Sequence, residues 1–266
     1  MSRSEADLTS KDSKASSWKN GRTIAVTGKG GTGKTMLVTL MIKILTERGD
    51  IKILAVDADS AMSLPYTLGM KIGKTLGQLR REIIEDPEVK RRIADEHIRE
   101  VMAGIVEPGK GFDLLVMGRP EAPGCFCAIN DLLRYGIETL SQNYDITIID
   151  GEAGPEQVNR RVIKSIDTLL VVADTSNRSL RTAKDIIMIA RTHGNTGVGK
   201  TGLIINRFKG KMDAFKDVAQ QMDLEVLGYI PEDENVNHYD SIGRPLPEIP
   251  DDSPGLTAIR EIMRII

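Results

Sequence analysis

The chain has 266 residues, with 36 Lys and Arg against 38 Asp and Glu, and a formal net charge of -2 at pH 7. That balance argues against a dedicated nucleic-acid binder or a polybasic membrane binder. With 40% hydrophobic but only 4% aromatic residues, the core must come from Ile, Leu, Val, Met and Ala, base-stacking platforms are scarce, and no metal or disulfide staple is needed at this length.

Residues 1–20 are rich in Ser, Lys, Asp and Glu and carry no apolar block, which reads as a solvated tail and not as a secretory signal. No apolar stretch approaches the ~18 to 20 residues of a membrane span, so a cytoplasmic chain with no membrane and no nucleic-acid partner is expected. Residues 23–27 form a short β-rich run ending at Gly28, and residues 34–48 carry helical apolar spacing. A second strand over 52–56 runs into Asp57-Ala58-Asp59. Residues 76–106 read as helix broken near Pro87, 112–117 as strand, 118–126 as loop, 128–141 as helix and 145–149 as a strand that ends at Asp150. Continuous apolar runs at 168–173 and 202–205, with a helix over 180–192 between them, have the pattern of parallel strands covered on both faces. This alternation implies an α/β fold with right-handed crossovers and a doubly wound, mostly parallel sheet that binds ligands at the strand carboxyl ends. With no repeat and no long linker, residues 21–266 are read as a single domain.

Gly28-Lys29-Gly30-Gly31-Thr32-Gly33-Lys34-Thr35 satisfies the pattern G-x-x-x-x-G-K-[ST] directly after a strand and at the opening of a helix. Backbone amides of such a loop converge on phosphate oxygens, the helix N-terminus adds positive potential, Lys34 reaches the outer phosphates and Thr35 offers a hydroxyl to Mg²⁺. A second match, Gly194-Asn195-Thr196-Gly197-Val198-Gly199-Lys200-Thr201, follows a helix and feeds a strand. With no helix N-terminus behind it, it is expected to be a connection only. Asp57, Asp59 and Asp150 at strand ends are candidates to hold Mg²⁺ or orient water, although an isolated Asp there is often a turn residue.

Cys125 and Cys127 are the whole thiol inventory, and one intervening residue makes a mutual disulfide geometrically poor. Lying just before a helix, they offer two soft ligands, which a two-fold dimer would double to the four of a tetrahedral Ni²⁺ or Zn²⁺ site. The plain alternative is a pair of inert or buried thiols.

Lys29 at the start of GKGGTGKT resembles the deviant P-loop (SIMIBI class) of the MinD, ParA, ArsA and nitrogenase iron-protein group, ATPases that dimerise face to face. The resemblance implies an ATP/ADP and Mg²⁺ site in a homodimer. It makes Lys29 a trans-acting charge on the partner's nucleotide, and Lys34 and Asp59 hydrolytic residues. It gives Asp57 and Asp150 to Mg²⁺ together with Thr35, and the Gly154 amide to the γ-phosphate through Asp150-Gly151-Glu152-Ala153-Gly154. It adds Met36, Asn206, Arg207 and Pro231 to the nucleotide site, with Asn206 reading the adenine edge. Together with Cys125-Phe126-Cys127, the pattern from residue 23 onward is similar to the CooC-type ATPases that assist nickel insertion into carbon monoxide dehydrogenase, so such a client enzyme, or an acetyl-CoA synthase, is the implied partner. Ser60 departs from it, since relatives often carry Pro there.

Two other classes compete. A MinD- or ParA-type positioning ATPase in its membrane form needs a basic amphipathic C-terminal helix, and residues 256–266 place Ile259, Ile262, Met263 and Ile266 beside Arg260 and Arg264. A short helix completing the core is the other reading of that segment. An electron-transfer ATPase of the iron-protein kind draws its cluster cysteines from separate loops, whereas here both share one loop.

Overall fold

A computed structural model describes residues 21–95, 98–118, 127–154, 166–192, 198–210 and 212–266. Among them, β1 (Arg22–Gly28), β2 (Ile53–Asp57), β3 (Glu107–Pro108), β4 (Asp113–Val116), β5 (Ile146–Ala153), β6 (Ile166–Ala173), β7 (Val198–Phe208) and β8 (Val226–Pro231) form one sheet in the order β3-β4-β2-β5-β1-β6-β7-β8. Every pairing is parallel except that of the two-residue edge strand β3 with β4. The expected doubly wound sheet is therefore present. β1 lies between β5 and β6 while its chain successor β2 lies beyond β5, so winding changes direction about β1 and leaves a crevice at its carboxyl end.

The α-helices among the described residues are α1 (Lys34–Thr46), α2 (Ser63–Leu68), α3 (Leu76–Glu85), α4 (Pro87–Asp95), α5 (Ile98–Ala103), α6 (Cys127–Ser141), α7 (Asn177–Thr192), α8 (Met212–Gln221), α9 (Glu234–Ser241) and α10 (Pro254–Met263). Strand side chains alternate between faces, so Ile24 and Val26 of β1 pack with Leu37, Leu40 and Met41 of α1 and Leu256 and Ile259 of α10. Ala25 instead joins Leu79 of α3, Leu140 of α6 and Ile186 of α7 on the opposite face. The break at Pro87 falls where expected: Asp86, at φ −112° and ψ 108°, is extended because a following proline disfavours the helical region. Thr75 opens α3 with a reciprocal cap, accepting from the Gln78 amide while the Gln78 side chain accepts from its own.

Two differences from the sequence reading concern strand ends. Asp150 does not end its strand, because β5 continues to Ala153, which pairs with Gly28 after a register shift. β7 begins at Val198 and not at Gly202, so Gly199, Lys200 and Thr201 of the second glycine-rich match, expected in a connection, are strand residues; Gly194 to Gly197 lie outside the described residues. Pro231, which the resemblance gives to the nucleotide site, is the last residue of strand β8.

α10 settles the role of the C-terminal apolar stripe. Leu256, Ile259, Ile262 and Met263 are all buried, and a Cβ on Gly228 would lie 2.3 Å from Ile262 Cγ1. These side chains share one core cluster with Leu37, Leu40 and Met41 of α1, so this face is already occupied by the fold and is not presented to a lipid surface. Among the described residues, no helix is long and apolar enough to cross a membrane.

Candidate nucleotide site

Two glycines make the loop after β1 possible. Gly28 has φ 150°, and a Cβ there would sit 2.2 Å from the Val172 carbonyl oxygen of β6. Gly33 has φ 92°, and its Cβ would lie 2.2 Å from Asn206 Nδ2. Any larger residue at either position forces the loop off the sheet. Gly33 is also the N-cap of α1 and supplies no side-chain acceptor, so the first amides of the helix face the crevice ready for an anion.

The loop is braced from β7. Asn206, 2% exposed, donates from Nδ2 to the Thr32 carbonyl at 2.8 Å and accepts the Arg207 amide at 2.9 Å. Arg207, at φ 52°, also donates to the Gly31 carbonyl at 3.3 Å. The Thr32 hydroxyl bonds the Lys29 carbonyl at 2.8 Å. Each end of the Asn206 amide keeps one bonding site beyond these contacts.

Carboxylates gather beneath the loop. Register places Asp57 of β2 directly beside Asp150 of β5, and both are 0% exposed. Asp57 accepts from the amides of Asp59 (3.0 Å) and Leu64 (3.1 Å). Asp150 Oδ2 accepts from Thr35 Oγ1 at 2.7 Å, whereas its Oδ1 is buried without a hydrogen-bond partner among the described residues. Burial pushes the Asp57 carboxyl up to about 6, against its two amide bonds. Burial likewise pushes Asp150 up to about 7, with the Thr35 bond opposing and the neighbouring Asp57 charge adding to the shift. Two buried carboxyls with one orphaned oxygen beside a threonine hydroxyl form an oxygen donor set suited to a hard divalent cation.

The crevice itself is a cavity of about 360 Å³. Gly30, Gly31 and Gly33 line it from the loop, Lys34, Thr35 and Met36 from the first turn of α1, Asp59 from just beyond β2, Ala153 from β5, and Asn206, Arg207 and Pro231 from the far strands. Lys34 is buried and Lys29 partly exposed. Gly154, at φ 100°, donates its amide to the Gly28 carbonyl at 3.1 Å. Of the cysteine pair, Cys125 lies outside the described residues, as does the Cys127 side chain; Cys127 is the first residue of α6.

Several lining residues escaped the sequence reading. Ser63 and Thr67 come from α2, and Val236, Asn237 and Asp240 from α9. Asp233 also lines the cavity, caps α9 through the Asn235 and Val236 amides, and accepts from Ser253 Oγ and, at 2.7 Å, the Gly255 amide. Its capping role had a visible signal, an Asp immediately before a short helix.

The glycine loop, the oxygen donor set and the parallel sheet together define a nucleotide-binding P-loop protein. The CobQ/CobB/MinD/ParA nucleotide binding domain family (CbiA) matches residues 23–246, and the chain belongs to it. It is 36% identical over 244 residues to an uncharacterized ATP-binding protein of Methanocaldococcus jannaschii, covering 90% of this chain and 96% of that one. It is 30% identical over 235 residues to the carbon monoxide dehydrogenase accessory protein CooC of Rhodospirillum rubrum, covering 83% of this chain and 87% of that one. The fold is shared with the septum site-determining protein MinD of Pyrococcus horikoshii complexed with Mg-ADP, at TM-score 0.68 and 23% identity over 91% of this chain and 93% of that one. A ParA family ATPase of Chlorobium tepidum aligns at TM-score 0.71 and 20% identity over 94% of this chain and 99% of that one.

Proposed function

We propose that the chain is an ATPase that closes as a homodimer on ATP and hands a metal ion, nickel before zinc, from Cys125 and Cys127 to a client of the carbon monoxide dehydrogenase or acetyl-CoA synthase type. The observation that carries the ATPase step is the orphaned Asp150 Oδ1 between Asp57 and Thr35 at the foot of the glycine loop. Thr35, Asp57 and Asp150 would hold Mg²⁺, whose charge offsets that of the phosphates. The loop amides and Lys34 cradle the phosphates, and Asp59, facing the cavity, orients the attacking water. Lys29 reaches the partner's nucleotide. Arg207, Met36 and Pro231 wall the nucleoside end, and Asn206 reads the adenine edge with the bonding sites its bracing contacts leave. Sensing of the γ-phosphate by Gly154 requires its amide to leave the Gly28 carbonyl, which makes that bond part of the switch.

Asp59→Ala is expected to bind ATP with near-parental affinity and to lower kcat about 10²-fold or more, accumulating dimer, because the water-orienting group is lost while the phosphate cradle stays. Single-turnover hydrolysis with sedimentation checks this, and parental turnover refutes the assignment.

The cargo step rests on the likeness to CooC and on the Cys-Phe-Cys spacing. Its test is metal content and mass measured together. One Ni²⁺ or Zn²⁺ per dimer is expected, with metal and ATP tightening each other by the same factor and metal affinity falling at acid pH as thiolates take up protons. Changing both Cys125 and Cys127 to Ala should abolish the metal and leave nucleotide binding intact. One tightly held ion per monomer, or unchanged metal-promoted dimerisation in the double variant, sinks the reading. A membrane-positioning role is disfavoured by the burial of the α10 stripe.

A further inference from the structure

The two segments that flank the outer end of the phosphate cradle are joined by a side-chain bridge that the mechanism above does not use. Ser60 Oγ donates to Glu152 Oε1 at 3.1 Å, across 92 residues of chain. Ser60 sits inside a tight turn that Asp59 makes with its own backbone: Asp59 Oδ1 accepts the Ala61 amide at 2.9 Å, and the Met62 amide donates to the Asp59 carbonyl at 3.0 Å. The other end of the bridge is anchored in the sheet. Glu152 belongs to β5, past the register shift that follows Asp150, and its carbonyl accepts from Thr27 Oγ1 at 3.2 Å. Thr27 is 2% exposed and immediately precedes the glycine loop.

The Asp59 turn is thus a loop element made of short-range bonds, and Ser60 ties it to a strand of the rigid sheet. We propose that Glu152 is a positioning residue for hydrolysis: through its hydrogen bond to Ser60 it holds the Asp59 turn at the mouth of the cavity, with no direct contact to nucleotide. The inference rests on the ATPase reading above and adds to it the device that aims Asp59. What matters is an acceptor at 152 and a hydroxyl at 60, not the negative charge.

That distinction fixes the test, made on the full chain by measuring ATP turnover alongside the affinities for ADP and for a non-hydrolysable ATP analogue. Ser60→Ala and Glu152→Ala should each lower kcat about five- to tenfold, the scale of one lost hydrogen bond, and leave both affinities within about twofold. The double variant should be no slower than the slower single, since both remove the same bond. Ser60→Thr and Glu152→Gln, which keep donor and acceptor, should stay within about threefold of the parent chain. Should Glu152→Ala fail to fold, Ser60→Ala, Ser60→Thr and Glu152→Gln still decide the matter. Parental kcat in Ser60→Ala, multiplied losses in the double variant, or Glu152→Gln as impaired as Glu152→Ala would each overturn the proposal. A parent chain that binds ATP without hydrolysing it would instead sink the ATPase reading, and this inference with it. Turnover in the parent with no effect at Ser60 sinks the inference alone.

Discussion

Lys34→Ala will lose nucleotide affinity by about 10²-fold or more, whereas Lys200→Ala will bind as the parent chain does. Both lysines occupy the same place in the same eight-residue pattern, so the contrast isolates what the surrounding structure adds. Lys34 is the first residue of α1, is buried, and lines a cavity toward which helix amides point. Removing it leaves phosphate charge facing Asp57, Asp59 and Asp150 without its nearest buried cation. Lys200 lies within β7, and its ammonium donates to the Ile265 carbonyl at 3.4 Å, away from that cavity. Equal losses in the two variants, measured by calorimetry with Mg-ADP, would show that pattern and not context governs binding.

The same contrast explains which parts of the fold and site could be read from the amino acids. The glycine loop was legible because its demands are local: positive φ at Gly33, close approach at Gly28, and a strand before and a helix after. Strands β1, β2 and β6 were legible because both faces are covered and their apolar runs are unbroken. β5 was read short because Asp150 and Glu152 are polar, and polar residues at a strand end look like a turn; their partners come from β2 and from the loop after it, which only register brings near. α9 was missed for the opposite reason. It has no buried residue, so it carries no apolar period to detect, and only Asp233 at its cap marks it. The Ser60–Glu152 bridge depends on β5 being inserted between β1 and β2, a topological fact that no local window of sequence contains.

Asp150→Asn is expected to stabilise the nucleotide-free chain at pH 8 while lowering Mg²⁺-dependent ATP turnover about 10²-fold or more. The sign follows from burial. The Asp150 carboxyl is pushed up to about 7 in the fold by desolvation, and Asp57 up to about 6, while in the unfolded chain both titrate near the ordinary carboxylate value of about 4. Between those limits the unfolded chain has released protons that the fold still holds, so stability falls as pH rises through about 4 to 7. The penalty is complete above the folded values and absent below about pH 4, where both states are protonated. An asparagine carries no charge to bury, can still accept from Thr35, and can donate toward Asp57 where the orphaned oxygen stood. The variant should therefore melt about 2 to 8 °C higher than the parent at pH 8 and show a flatter dependence on pH. Mg-ADP should reverse the order. It should raise the parent's melting temperature increasingly from pH 5 to pH 8, as the two carboxyls ionise and become ligands, and should add little to the variant. The buried carboxylate would then be a cost to the empty fold that cation binding offsets. A variant less stable than the parent at pH 8 without nucleotide, or one that keeps Mg²⁺-dependent turnover, would place the cation elsewhere.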